Sequence, residues 1–341
     1  MLADHTSILC IPGPPDHGGL GRHSRCLMDQ YAEARFVEPE SGKPLTGMRF
    51  SFLPRIYNKL QSLRSESSFQ GFDSTDKQSA EKLPHFLPLN QVLCFSGCAL
   101  RTFTMARRLG VKTLHLESPT AHISHCDRQL KKAYAANPLE RCWLGPSLKA
   151  KMLAEYQIAD VIWVNSEYSR QTFLDHGFPR SKLVRRYLTV DSRFQLKPGS
   201  TSTHESLTIV YVGSVSVSKG VPVLLAAFQK IKNPKARLIL IGGTGSRGMK
   251  QYMGKIIASD GRISMQPGDP LPYFGDANVL VHPSWSDGFG LAPMEAMAAG
   301  VPVIVTQDTG MKEYVTEDMN GWVVPTGDIA ALNDRLEFLQ G

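Results

Sequence analysis

Residues Pro283–Thr306 read PSWSDGFGLAPMEAMAAGVPVIVT. A Gly-rich turn leads into a short Ala/Met helix, and a β-branched strand follows. Asp287 lies in the turn and Glu295 in the first turns of the helix, eight positions apart. Gly288 and Gly290 let the backbone approach a ligand, because no Cβ intervenes. The N–H groups at the start of a helix have no intrahelical acceptors and form a ready anion site. The stretch therefore offers donors for an anion and two carboxylates for hydroxyls, which suits a ligand carrying phosphates and a sugar ring. Gly-rich strand-to-helix turns also occur throughout α/β proteins, and an aspartate before a helix also serves as an N-cap.

Outward from that stretch, strands and helices alternate, the pattern of parallel sheets covered on both faces. In the second half, strands are expected at 208–212, 237–241, 279–282, 301–305 and 322–324. Helices are expected at 221–231, near 248–258 and at 293–299. In the first half, strands are expected at 7–11, 92–96, 112–116, 161–165 and 183–187. Helices are expected from about Arg22, around 100–109, at 147–158 and at 168–176. Residues 38–85 read as a long irregular loop or insertion. Lys197–Ser206, KPGSTSTHES, is polar and aperiodic and reads as a linker. The expected layout is a first α/β domain at 1–196, the linker at 197–206 and a second α/β domain at 207–341. Ligands of open α/β sheets sit at the carboxyl ends of the strands.

Bulk properties bound the function. The chain has 341 residues, 42% hydrophobic and 20% charged, as in ordinary globular proteins. No run approaches the 18 apolar residues of a membrane-spanning helix, and the N-terminus lacks the pattern of a signal peptide. The six cysteines fall in the first half without C-x-x-C spacing, which fits reduced thiols in a cytoplasmic protein. Residues 1–206 hold 27 Lys and Arg against 19 Asp and Glu, a net of +8, whereas residues 207–341 are at −1. RQLKK at 128–132 and PRIYNKLQSLR at 54–64 belong to the basic half. Such patches can meet an anionic membrane surface, and they are also common as solvated faces. No nucleic-acid partner is expected.

Three further loops carry chemistry. VGSVSVSKG at 212–220 joins a strand to a helix; Gly213 permits the turn and Lys219 can neutralise a diphosphate. An exposed loop lysine reads the same way. LIGGTGSRG at 240–248 contains G-x-G-x-x-G at Gly243, Gly245 and Gly248, formally a dinucleotide fingerprint. The acid that should close the next strand is absent, since Asp260 comes too early, so a Gly-rich loop lining a nucleotide site is the better reading. DHGGLG at 16–21 is the matching turn of the first half, where Gly18 and Gly19 can turn backbone N–H groups toward a phosphate. LHLESPTAHISH at 114–125 holds His115, His122 and His125 after a strand. A single histidine acting on a substrate hydroxyl fits better than a zinc site, because no matching cysteines or second histidine helix accompany them. No D-x-D occurs, which argues against paired aspartates holding a metal on a diphosphate.

Together these segments resemble the GT4 family of retaining glycosyltransferases, which have the GT-B fold of two Rossmann-like α/β domains facing an inter-domain cleft. SDGFGLAPMEAMAAGVPVI resembles the family's E-x7-E segment. VYVGSVSVSKGVPVLLAAF resembles its first strand, loop and helix of the second domain. EYQIADVIWVNSEYSRQTFLDHGFPRSKL at 155–183 resembles the end of its first domain, and HGGLGRHSRCL its amino-terminal glycine loop. The resemblance implies a nucleotide-sugar donor, an acceptor hydroxyl on a glycan, lipid or small molecule, and no cofactor or metal. It implies that Glu295 binds the donor ribose and that Asp287 contacts the transferred sugar. The N–H groups of Gly288, Phe289, Gly290 and Leu291 would meet sugar and diphosphate. Lys219 would stabilise the departing diphosphate, with Gly213, Ser214 and Gly243 lining the donor site. Gly18 and Gly19 would approach from the first domain, and His122 would stand beside the transferred sugar. There are departures. Serines stand at 214 and 218, where the family commonly places an arginine; Asp287 replaces the usual glutamate; YLTVD at 187–191 replaces Pro-x-Gly-Val-Asp; and the chain stops at Gly341, before any obvious final helix crossing back to the first domain. These departures leave a catalytically weak or inactive scaffold homologue as the alternative.

Overall fold

The computed structural model describes residues 7–10, 35–37, 65–195 and 206–340. Its contacts divide the chain into two units, 1–127 with 143–188, and 128–142 with 189–341. Each holds one six-stranded sheet, parallel at every pairing. Of the expected linker, residues 197–205 lie outside the described residues.

The first unit contains β1 (Ser7–Cys10), β2 (Arg35–Val37), α1 (Ser65–Lys82), β3 (Gln91–Phe95), α2 (Leu100–Arg108) and β4 (Thr113–Ser118). It continues through α3 (Ile123–Ala136), whose residues from 128 on belong to the second unit, then α4 (Pro146–Ile158), β5 (Val161–Val164), α5 (Glu167–Leu174) and β6 (Leu183–Arg185). Its strand order is β2-β1-β3-β4-β5-β6. The strands expected here are present within a few residues, and β2 is an addition. The helix expected from Arg22 lies outside the described residues.

Residues 65–82 correct the expectation of an irregular loop at 38–85, since they form the 18-residue helix α1. Its sequence, SESSFQGFDSTDKQSAEK, is rich in serine and poor in periodic apolar residues, so the helix is specified by tertiary bonds. Asp76, fully buried, accepts the N–H groups of Arg101 and Thr102 at 2.9 Å and pairs with Lys151 at 2.6 Å. Asp73 pairs with Arg101 and Lys151, both at 3.0 Å. A buried carboxylate without such partners would cost several kcal/mol.

The second unit contains β7 (Thr208–Val212), α6 (Val221–Phe228), β8 (Arg237–Ile241), α7 (Arg247–Ser259), β9 (Ile263–Gln266), α8 (Leu271–Phe274) and β10 (Val279–His282). There follow α9 (Leu291–Ala298), β11 (Val303–Thr306), β12 (Gly321–Val324) and α10 (Ile329–Phe338). Strands such as TIVYV and VIVT are continuous apolar runs because both faces of the sheet are covered. Ile209, Leu224, Leu225, Phe228, Leu238, Leu240, Val281 and Ile304 form one buried core. Each large side chain contributes roughly 1.5–3 kcal/mol by leaving water. The helix α10, not expected from the sequence, joins that unit through Asn333, whose side-chain amide donates to the Ala227 carbonyl at 3.2 Å.

The order β12-β11-β10-β7-β8-β9 has a direct consequence for the site. The chain runs outward from β7 through β8 to β9, then returns to the other side of β7 as β10. The strand order thus reverses between β7 and β10, and ligands of open α/β sheets bind at the carboxyl ends of the strands at such a point. No helix among the described residues is long and apolar enough to cross a membrane.

Candidate functional site in the second unit

The loop after β7 carries Lys219 and the loop after β10 carries Asp287. The Lys219 ammonium lies 2.5 Å from Asp287 Oδ2. His282, the last residue of β10, brings Nε2 to 3.2 Å from the same oxygen. Oδ1 accepts the Phe289 N–H at 3.3 Å, so the acid also braces its own turn. The Asp287 side chain is 17% exposed and that of Lys219 34%. Burial pushes the Asp287 carboxyl up, but the Lys219 ammonium and His282 outweigh it and hold the group far below the usual carboxylate range. The acid is a fixed anion at neutral pH.

Backbone contacts set this geometry on both sides. The Trp285 N–H donates to the Ser218 carbonyl at 3.0 Å, joining the two loops one residue from Lys219. Gly220 has φ +71°, and a Cβ there would stand 1.8 Å from the Pro283 carbonyl oxygen. The glycine is thus required by the close approach as well as by its left-handed backbone. On the far side, the segment after β11 lies along the turn. Asp287 N–H donates to Asp308 O at 3.0 Å, Gly310 N–H to Asp287 O at 3.1 Å and Met311 N–H to Phe289 O at 2.8 Å.

Gly290 is the N-cap of α9 at φ +101°, and a Cβ there would approach Met311 Cγ to 3.2 Å. The first N–H groups of α9 have no acceptor within the helix and face outward at its start. Glu295, in the second turn of α9, is 4% exposed. In the loop after β7, Gly213 takes φ +145°, and the Ser214 carbonyl accepts the Tyr211 hydroxyl at 2.6 Å. The Ser216 and Ser218 hydroxyls bond each other at 3.1 Å. The loop after β8 joins in, with Val215 N–H donating to Gly243 O at 3.0 Å.

The structure therefore brings Lys219, Asp287, Gly288, Phe289, Gly290 and Leu291 together with the loops bearing Gly213, Ser214 and Gly243. Gly18 and Gly19 lie outside the described residues. His122 belongs to the first unit, where the residue is 2% exposed. Its ring stacks on His176 at a centroid distance of 3.9 Å, with Tyr156, Phe173 and Phe178 around it, and its Nδ1 accepts the Ser124 N–H at 3.2 Å. His282 was not foreseen. Its signal was a polar residue closing an apolar strand, VLVH, one position before the decisive turn. Among the described residues no group of three His, Cys, Asp or Glu side chains is placed to hold a metal ion.

Residues 192–340 match the family described as Glycosyl transferases group 1. The second unit carries a group 1 glycosyltransferase domain. Among curated relatives, the capsular polysaccharide biosynthesis glycosyltransferase CapM of Staphylococcus aureus is 29% identical over 141 residues, 40% of this chain and 37% of CapM. The D-inositol 3-phosphate glycosyltransferase of Corynebacterium glutamicum is 23% identical over 385 aligned positions, 99% of this chain and 87% of that protein. The matches span about half or less of the length of three of these curated relatives, CapM among them. Among solved structures, Anabaena HepE in complex with UDP and glucose superposes with a TM-score of 0.67 at 15% identity, over 98% of this chain and 89% of HepE. That likeness shows the fold, which is GT-B. The group 1 glycosyltransferase domain thus contains Lys219, Asp287 and Glu295 within one unit.

Proposed function

We propose that this chain is a retaining, metal-independent glycosyltransferase of the GT4 type, moving a sugar from a nucleotide sugar to an acceptor hydroxyl. The observation that carries the reading is the meeting of Lys219 and Asp287 at the carboxyl ends of β7 and β10, beside the start of α9, inside a group 1 domain. HepE was solved with UDP, so UDP-sugars are the first donors to test.

In this scheme the glycosyl bond breaks toward an oxocarbenium-like state and the leaving diphosphate gains negative charge. Lys219 and the N–H groups at the start of α9 stabilise that charge from fixed positions. Asp287 grips hydroxyls of the transferred sugar, and Glu295 those of the ribose. In the structure Asp287 occupies the Lys219 ammonium; an arriving diphosphate competes for the lysine and releases the carboxylate toward the sugar. The scheme assigns no step to His122, whose ring is packed within the first unit.

The test is incubation with a panel of nucleotide sugars, reading nucleotide diphosphate release and, by NMR, the anomeric configuration of the product. Retention of configuration supports the reading, and inversion or the absence of any nucleotide-sugar binding removes it. A scaffold that binds donors without turning them over is the second reading, favoured by Ser214 and Ser218 standing where a second cation would serve the diphosphate. Donor binding with no transfer and no donor hydrolysis selects it. The acceptor is a glycan, lipid or small molecule. The +8 balance of residues 1–206 fits work at an anionic membrane surface on the cytoplasmic side. Sedimentation with anionic vesicles checks this, and the absence of salt-dependent binding would reject it.

A further inference from the structure

We propose that Glu140 is a positioning residue that holds the loop carrying Lys219, an inference that rests on the glycosyltransferase reading above. Glu140 sits in the segment 128–142, which packs into the second unit. Its two carboxylate oxygens serve two different loops. Oε1 accepts the Val217 N–H at 2.8 Å and Oε2 accepts the Ser246 hydroxyl at 2.6 Å.

Each bond reaches a functional element. The Val217 carbonyl accepts the Gly220 N–H at 2.9 Å, so residues 217–220 form a closed turn with Lys219 inside it. Pinning the Val217 N–H pins that turn. Ser246 is the N-cap of α7, and its hydroxyl oxygen accepts the Met249 N–H at 3.1 Å. One carboxylate thus ties the loop after β7 to the start of the helix after β8. Hydrogen bonds to an ionised acceptor are stronger than neutral ones, and two oxygens on one planar group fix direction as well as distance.

The backbone beside Glu140 is built for this contact. A Cβ at Gly248 would stand 1.8 Å from the Leu139 carbonyl oxygen. Only glycine at 248 admits residues 139–140 so close to α7. The last glycine of the G-x-G-x-x-G pattern is therefore explained by a close approach of two backbone segments within the chain, with no dinucleotide needed. Ala133 lies in the core of the same unit, with Tyr134 and Leu139 packed on it. The segment that presents Glu140 is accordingly anchored in that core on its amino-terminal side.

The experiment compares wild type, Glu140→Ala and Glu140→Gln in the full chain by two independent readouts. The first is amide hydrogen exchange of the unliganded protein. Exchange over residues 213–220 should rise at least tenfold in Glu140→Ala, while Glu140→Gln, which keeps an acceptor for Val217, stays within threefold of wild type. The second is a double-mutant cycle with a UDP-sugar. Glu140→Ala should lower kcat about tenfold with donor KM within threefold, and cost less than twofold in a Lys219→Ala background, because it acts through that lysine. Unchanged exchange, or a full and additive loss in the Lys219→Ala background, would overturn the proposal. If Glu140→Ala does not fold, Ser246→Ala removes half of the tie and carries the same cycle. Absence of turnover in wild type would defeat the proposed function alone, since the exchange readout needs no substrate.

Discussion

Lys219 Nζ and Asp287 Oδ2 lie 2.5 Å apart although 68 positions separate them in the chain. The topology causes this: β7 and β10 are neighbours in the sheet, and the loops at their carboxyl ends meet. An ammonium ion beside a largely buried carboxylate is a neutral pair until a stronger anion arrives. In the proposed scheme a diphosphate, which carries more charge than Asp287, would exchange the partner of the lysine.

Lys219→Ala should therefore act on turnover more than on binding. We expect kcat to fall by two orders of magnitude or more, roughly 3 kcal/mol of transition-state stabilisation, with donor KM changed by only a few-fold. Steady-state kinetics with the best donor checks it. Equal loss in both parameters would place the lysine in ground-state binding instead. Glu295→Ala should show the opposite pattern, weakening nucleotide affinity in a calorimetric titration.

Gly220→Ala tests the join between the two loops. The new Cβ would need the space of the Pro283 carbonyl, and the backbone at φ +71° resists any side chain. We expect a loss of about 2–4 kcal/mol of unfolding free energy, or loss of nucleotide binding if the loop shifts instead. Chemical denaturation together with a binding titration distinguishes the two routes. A variant as stable and as tightly binding as wild type would contradict the geometry.

His122→Ala should lower stability by about 2–4 kcal/mol, because it opens a hole among Tyr156, Phe173, His176 and Phe178. Thermal unfolding measures this. His122→Phe should recover much of the stability by refilling the aromatic cluster. Loss of turnover in a stable His122→Phe protein would show that the imidazole has a chemical part to play.

Glu155 sets a pH dependence in the first unit. Its carboxylate caps α2 from a distance in sequence, accepting the N–H groups of Gly97 at 2.5 Å, Ala99 at 2.8 Å and Leu100 at 3.1 Å. Burial pushes the carboxyl up to about 7 from 4.5, against the pull of the Gly97 and Ala99 N–H groups and of Lys151. Between those values the native state holds a proton that the unfolded chain has lost. Stability contributed by this group is therefore present below pH 4.5, declines as pH rises toward 7, and is level above it. The change is on the order of 3 kcal/mol. Denaturation curves of wild type and Glu155→Gln at pH 5 to 8 test the sign: the difference between them should shift against wild type as pH rises.

The legible parts of this protein are those whose residues answer to local rules. The runs TIVYV, RLILI and VLVH announced strands of a covered parallel sheet, and each matched its strand end for end. Lys219, Asp287 and the glycines between strand and helix were legible because turn chemistry and helix starts leave a short signature. What was hidden depends on distant partners. The helix at 65–82 is held by Asp73 and Asp76 bonding residues 25 or more positions away. Glu140 is one acid in a nondescript segment, PLERC, until two loops more than 70 residues downstream are folded against it. His122 satisfied a motif, but the aromatic rings that enclose it come from residues 156–178 and could not be placed beside it from spacing alone.

The most direct test of the central claim measures nucleotide diphosphate release from a panel of UDP-sugars by wild type and Lys219→Ala under identical conditions. The account predicts release from at least one donor by wild type, reduced a hundredfold or more in the variant, with donor binding retained in both. Release at the same rate from both proteins would contradict it.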